Sequence, residues 1–137
     1  MYNYSPDISA KALRLIADCG LRPSPQRIAV ASYVLANRTH PTVDEIYTDI
    51  KATCPSLSKT TVYNTLRALV ESNCIIELTI EPGTSRFDGT TSPHAHFRCN
   101  SCKRIFDIDM PHIPKLSNFD VGNVQVYLSG LCPCCKN

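Results

Sequence analysis

"TVDEIYTDIKATCPSLSKTTVYNTLRALVESN", residues 42–73, carries two helical patterns joined by a turn short enough to pack one against the other. Thr42 answered by Glu45 is a capping box, in which each side chain satisfies a backbone N–H that the helix start leaves open. Val43, Ile46, Tyr47 and Ile50 then recur at helical spacing, and Pro55 follows the end. Ser58 caps the second pattern, with Val62, Leu66, Leu69 and Val70 inward, and Asn73 suits a left-handed stop. The two helices are expected over about 43–53 and 59–72.

Upstream, Asp7 is expected to cap a helix whose apolar positions are Ile8, Ala12, Leu13 and Ile16, with Gly20 at its end. A further helix opens with Ser24 as cap and Pro25 at the first helical position, where the missing N–H is harmless, and Ile28, Ala31, Val34 and Leu35 form its stripe. Downstream, "CIIELTI" (74–80), "EPGT" (81–84) and "SRFD" (85–88) read as a β-hairpin, because Pro-Gly suits a type II turn. Three or four short helices followed by a two-stranded hairpin is a winged helix-turn-helix layout. "DGTTSP" (88–93) reads as a hinge, after which "HFRC", "RIFDID" and "VQVYL" are strand-like and "KLSNF" (115–119) is a short helical candidate between prolines and polar residues.

With 137 residues and 43% hydrophobic content, the chain suits one domain or two small ones and is too short for a large catalytic barrel. The opening "MYNYSPD" has no basic leader region, and no apolar run could span a bilayer, so a cytoplasmic protein without membrane association is expected. The net charge of +2 points to no partner by itself, since nine basic and nine acidic residues balance over 1–92. Between Ile50 and Val70, however, Lys51, Lys59 and Arg67 face no acid within the segment.

Eight cysteines without a secretory leader favour metal binding over a disulfide framework. Cys19, Cys54 and Cys74 stand singly among apolar neighbours and read as small buried hydrophobes. Cys99 and Cys102 form one C-x-x-C, and "CPCC" supplies Cys132, Cys134 and Cys135. Pairing Cys132 with Cys135 keeps C-x-x-C on both sides and leaves Cys134 as a spacer, with Cys134 the alternative fourth ligand. Four thiolates make a closed tetrahedral site for structural zinc, and a unit of roughly 45 residues needs such a staple. His94 and His96, two apart, share one strand face, as do Asp107 and Asp109 on the next strand. With sulfur occupied elsewhere, these nitrogen and oxygen donors suit iron, manganese or zinc.

"HPTVDEIY", "TTVYNTLRALVES", "ELTIEPGTSRFD", "HAHFRCNSCKRIFDID" and "GLCPCC", in this order, resemble the Fur family of metal-dependent transcriptional repressors from about Leu21 to the end. Within it the likeness is to the peroxide-sensing, PerR-like branch, since Asp107 stands where iron- and zinc-uptake branches typically carry glutamate. The resemblance implies an α+β fold: a winged helix-turn-helix DNA-binding domain (1–87), a hinge (88–93) and a small C-terminal α/β dimerisation domain (94–137). It implies structural zinc on Cys99, Cys102, Cys132 and Cys135, and regulatory iron(II) or manganese(II) on His40, Asp88, His94, His96 and Asp107. The interval from Asp107 to Cys132 is only 25 positions and holds Pro111 and Pro114, leaving little room for the family's usual dimerisation helix. Lys103 replaces a glycine common after the second cysteine, and the family's extra histidine-rich site has no counterpart.

The implied mechanism couples metal to DNA. A metal joining donors on both sides of the hinge would set the spacing of two recognition helices in a homodimer, and hence its fit to a palindromic double-stranded operator. Lys59, Thr60, Thr61, Tyr63, Asn64 and Arg67 lie off the apolar stripe and are the candidate DNA contacts. The resemblance further implies that iron(II) with hydrogen peroxide oxidises His40 or His94 and so ends repression. An iron- or zinc-uptake regulator is the nearest alternative. A non-haem iron enzyme would need a substrate pocket for which the chain has little room, and a zinc-ribbon interaction module would bind no specific DNA.

Overall fold

The computed structural model describes residues 4–137, in two compact units, one ending at Thr91 and the other starting at Ser92. The first contains α1 (Pro6–Asp18), α2 (Pro25–Ala36), α3 (Val43–Lys51) and α4 (Lys59–Glu71), then the antiparallel pair β1 (Ile76–Glu81) and β2 (Thr84–Asp88). The caps at Ser24, Thr42 and Ser58 form as expected, each side chain accepting a backbone N–H from the first turn, and Glu45 returns the bond to Thr42. Cys19 and Asn73 follow the ends of α1 and α4, with Gly20 at φ 73° and Asn73 at φ 58° reversing the chain. Gly83, also at φ 73°, makes the hairpin turn.

Two readings of α1 change. Its cap is Ser5, which accepts from Ile8 N at 3.3 Å, and Pro6 takes the first helical position. Asp7 therefore lies inside the first turn, where its charge still favours the positive helix end. Leu13 is 44% exposed, while Ala12 and Ile16 are fully buried and Leu15 packs against the core in part.

That core gathers Ile16, Val30, Val34, Ile46, Ile50, Leu66 and Leu69 with Phe87 of the hairpin. Each such side chain contributes on the order of 2 kcal/mol by leaving water. Cys19, Cys54 and Cys74 pack against this core and are only partly buried. Gly89 presses on the end of α2: a Cβ there would meet Val34 O at 3.0 Å. The first residue after β2 is thus fastened to the helical unit.

The second unit is a three-stranded sheet of order β4-β3-β5, with β3 (Ala95–Cys99) antiparallel to β4 (Ile105–Ile108) and parallel to β5 (Tyr127–Gly130). Among the described residues it has no helix. "KLSNF" stays irregular because five residues cannot repay helix nucleation and Asn118 sits at φ 67°. The strand expected over "VQVYL" begins only at Tyr127. Residues 109–126 are otherwise irregular and leave Ile113, Leu116, Phe119, Val121 and Val124 exposed, Phe119 by 72%. No helix among the described residues is long and apolar enough to cross a membrane.

Candidate metal centres and nucleic-acid interface

The second unit holds two donor sets of different chemistry. Cys99 closes β3, and the chain turns back through Cys102 and Lys103, whose N–H bonds Cys99 O at 3.0 Å. Lys103 makes that turn at φ 66°, the left-handed conformation that a glycine would adopt more easily. Beyond β5, Cys132 is buried and Cys135 N–H bonds its carbonyl at 2.9 Å. The sulfurs of Cys99, Cys102, Cys132 and Cys135 all lie within 4.8 Å of one another, while Cys134 is exposed and outside the group.

These sulfurs fit zinc. Tetrahedral bonds of about 2.3 Å separate sulfurs by about 3.8 Å, and Cys102 Sγ lies 3.9 Å from Cys132 Sγ. The backbone N–H groups of Cys132 (3.4 Å) and Cys102 (3.5 Å) point at Cys99 Sγ and bring its thiol down to about 6, so that it is ready as thiolate. Cys135 is pushed up to about 12, first by its bond with the Cys132 sulfur. A divalent ion held by these sulfurs would displace their thiol protons.

The nitrogen and oxygen set lies on the same sheet. The β3–β4 register places Asp107 directly opposite His96, which distinguishes it from Asp109 beyond the end of β4. Asp107 Oδ1 lies 3.2 Å from His96 Nε2 and 3.5 Å from His94 Nε2, and the two Nε2 atoms are 3.0 Å apart. His94 Nδ1 lies 2.7 Å from Ser92 O, which requires the proton on Nδ1 and leaves a lone pair on Nε2. Two ring nitrogens about 3.0 Å apart match adjacent ligands of an octahedral ion bonded at about 2.1 Å. The donor set fits iron(II) or manganese(II).

In the first unit, His40 and Asp88 are both buried, with His40 Nε2 3.5 Å from Asp88 Oδ2. Thr90 N–H donates to the other carboxylate oxygen at 2.8 Å and so orients it. His40 itself is held at φ 56°, an uncommon conformation for a residue with a side chain. Its loop is tied to β2 at several points: Phe87 N–H bonds Pro41 O at 3.0 Å, Thr42 bridges Arg86, and the Arg86 guanidinium donates to His40 O at 3.0 Å. Arg86 is steadied in turn by Glu81 and by Glu45 at 3.7 Å.

On α4, Thr60, Tyr63, Asn64 and Arg67 form one exposed stripe opposite Val62, Leu66 and Leu69. Arg67 Nη1 donates to Tyr63 Oη at 3.1 Å and lies over its ring, while Nε contacts Glu71 at 3.5 Å. Thr61 is half-buried and shares a 2.9 Å hydrogen bond with the Ser58 hydroxyl. Lys59 pairs with Asp44 at 2.7 Å, a bond and charge that raise its pKa.

The sequence profile of the ferric uptake regulator family matches residues 18–129. The chain belongs to the ferric uptake regulator family. The peroxide operon regulator of Bacillus subtilis is 35% identical over 133 residues, 92% of each chain. The structure of PerR from Streptococcus pyogenes, described in terms of peroxide sensing and gene regulation, aligns with a TM-score of 0.55 at 26% identity, over 99% of this chain and 98% of that one. Fur from Helicobacter pylori, described as having three functional metal binding sites, shares the fold with a TM-score of 0.70 at 24% identity, over 100% of this chain and 98% of that one. The likeness favours the peroxide-responsive branch over the metal-uptake branches.

Three features of this Fur-family chain that position donors escape a reading of its sequence: the Arg86 side chain, the Thr90 N–H and the Ser92 carbonyl. Two are backbone groups without residue identity. Arg86 could have been suspected only as an arginine inside a strand next to a proposed ligand.

Proposed function

We propose that this Fur-family chain is a peroxide-responsive transcriptional repressor that binds a palindromic operator as a homodimer. Residues 1–87 serve as the DNA-binding domain, 88–93 as the hinge, and 94–137 as the dimerisation and metal-binding domain. Cys99, Cys102, Cys132 and Cys135 hold structural zinc. His40, Asp88, His94, His96 and Asp107 hold iron(II) or manganese(II). The observation that carries this reading is one small sheet bearing an all-sulfur set and a separate nitrogen and oxygen set, so that a closed structural site and a responsive one coexist.

Bound iron(II) supplies one-electron reduction of hydrogen peroxide beside its ligands, chemistry that manganese(II) does not supply under the same conditions. His40 and His94 bring ring nitrogens from the two sides of the hinge. An oxygen added to either ring spoils the donor, and the two domains lose their common tether. The zinc thiolates are spared at low peroxide because zinc has no redox chemistry and occupies their lone pairs.

The DNA contacts assigned to α4 are Thr60, Tyr63, Asn64 and Arg67 along the stripe, with Lys59 and Thr61 at its start. Lys59 exchanges Asp44 for a phosphate, an inexpensive swap because surface ion pairs are worth at most about 1 kcal/mol. The exposed apolar side chains of 113–124 are covered by the second copy. Work on operator DNA is cytoplasmic.

The test loads zinc-containing protein with iron(II) or manganese(II) under anaerobic conditions, adds low peroxide, and follows operator binding and peptide masses together. Loss of binding with one added oxygen on the peptides of His40 or His94, only with iron, is the expected outcome. Binding that follows metal but ignores peroxide would instead mark an uptake regulator. Cysteine oxidation ahead of the loss, with both histidines intact, would reject the histidine route.

A further inference from the structure

Cys19 Sγ lies 4.0 Å from Cys74 Sγ, although 55 positions separate them in the chain. Cys19 follows the end of α1, with its N–H on Leu15 O at 3.1 Å, and Cys74 follows α4, with its N–H on Leu69 O at 2.8 Å. Both backbones are therefore anchored to helix ends, and the adjoining reversals at Gly20 and Asn73 aim the two thiols toward each other. Both side chains are only partly buried, so a small oxidant can reach them. Cys54, by comparison, has a serine hydroxyl, that of Ser56, at 3.7 Å.

We infer that Cys19 and Cys74 are a second oxidation site, which closes to an intramolecular disulfide under excess hydrogen peroxide. A disulfide needs sulfurs about 2.05 Å apart, so each must travel about 1 Å, within reach of side-chain rotation. The Cys19 thiolate attacks one peroxide oxygen; the O–O bond breaks, and the departing hydroxide takes a proton to become water. The resulting sulfenic acid is attacked at sulfur by the Cys74 thiolate; the S–S bond forms, the S–O bond breaks, and the oxygen leaves as a second water. Two thiols and one peroxide thus yield one disulfide and two waters, the two electrons passing from sulfur to oxygen.

Cys74 is pushed up to about 11, first by burial and then by the neighbouring Cys19. Cys74 accordingly holds its proton at neutral pH and the closing step is slow, which reserves the pair for severe exposure. The inference does not depend on the proposed iron chemistry, and manganese-loaded protein isolates it.

The experiment exposes the full chain, loaded with zinc and manganese, to millimolar peroxide, alkylates the remaining thiols and analyses an unreduced digest by mass spectrometry. The expected product is a pair of peptides from one chain joined through Cys19 and Cys74, two hydrogens lighter than their sum and absent from Cys19→Ser and Cys74→Ser. The joined form should melt about 10 °C higher than the reduced form, because the cross-link restrains the unfolded chain. Recovery of the two cysteines singly, whether alkylated or as separate sulfinic acids, overturns the assignment. So does a bond between different chains.

Discussion

Replacing Arg86 by alanine tests whether His40 is positioned from β2. The guanidinium donates to the His40 carbonyl at 3.0 Å and is only 21% exposed, between Glu81 and Glu45. A hydrogen bond from a charged donor is worth about 1.5–3 kcal/mol. The left-handed backbone of His40, at φ 56°, costs about 1–2 kcal/mol, so the residue has reason to leave that conformation once released. The Phe87 to Pro41 bond at 3.0 Å survives the substitution and limits the loss to its lower end. At about 1.4 kcal/mol per factor of ten, manganese(II) affinity should fall about tenfold. Calorimetric titration of zinc-loaded protein measures this, with zinc content unchanged as the control. Arg86→Lys should give an intermediate value, since it keeps the charge but not the planar fork. Unchanged manganese affinity in Arg86→Ala, alongside a crippled His40→Ala, would refute the argument.

Cys132→Ser should release zinc and unfold or dissociate the C-terminal unit, whereas Cys134→Ser should keep one zinc per chain; elemental analysis after gel filtration distinguishes them. Arg67→Ala should weaken operator binding by about 1–3 kcal/mol if its guanidinium reads a base, measured by fluorescence anisotropy on specific and scrambled duplexes. An equal loss on both duplexes would make Arg67 a phosphate contact. Phe119→Glu should shift sedimentation from dimer toward monomer while leaving zinc in place, because it sets a charge at the most exposed large apolar side chain among the described residues.

The helical unit was largely legible because its signals are local. The capping box at Thr42 and Glu45 and the caps at Ser24 and Ser58 need nothing beyond a few neighbouring residues. Ser-Pro-Asp offers two caps, and proline's preference for the first helical position decides for Ser5 over Asp7. The C-terminal unit was less legible. Tyr127 starts β5 because it pairs with His96, a long-range partner that no stretch of "VQVYL" announces. The two sulfur knuckles stood out through their spacing, but His40 came only from family resemblance, since 48 positions separate it from Asp88. Cys19 and Cys74 read as unrelated apolar residues for the same reason, and only the packing of α1 against its neighbours reveals them as a pair.

The parallel pairing of β3 with β5 has a bearing on how the protein is made. β3 and β4 are joined by a short turn and can meet as soon as both leave the ribosome, but β5 must return across residues 109–126. Closing a loop of that size costs roughly 3 kcal/mol before any ladder bond forms. Cys99 and Cys102 sit on the early hairpin, and Cys132 and Cys135 follow β5 directly. On the proposed assignment, zinc capture would draw the late strand home, and only then would the edge of β3 beside His96 be completed by Tyr127. With zinc in that role, a cell short of it during translation would accumulate chains whose peroxide response never matures, and the zinc supply at birth would limit how many working repressors a given amount of message can yield.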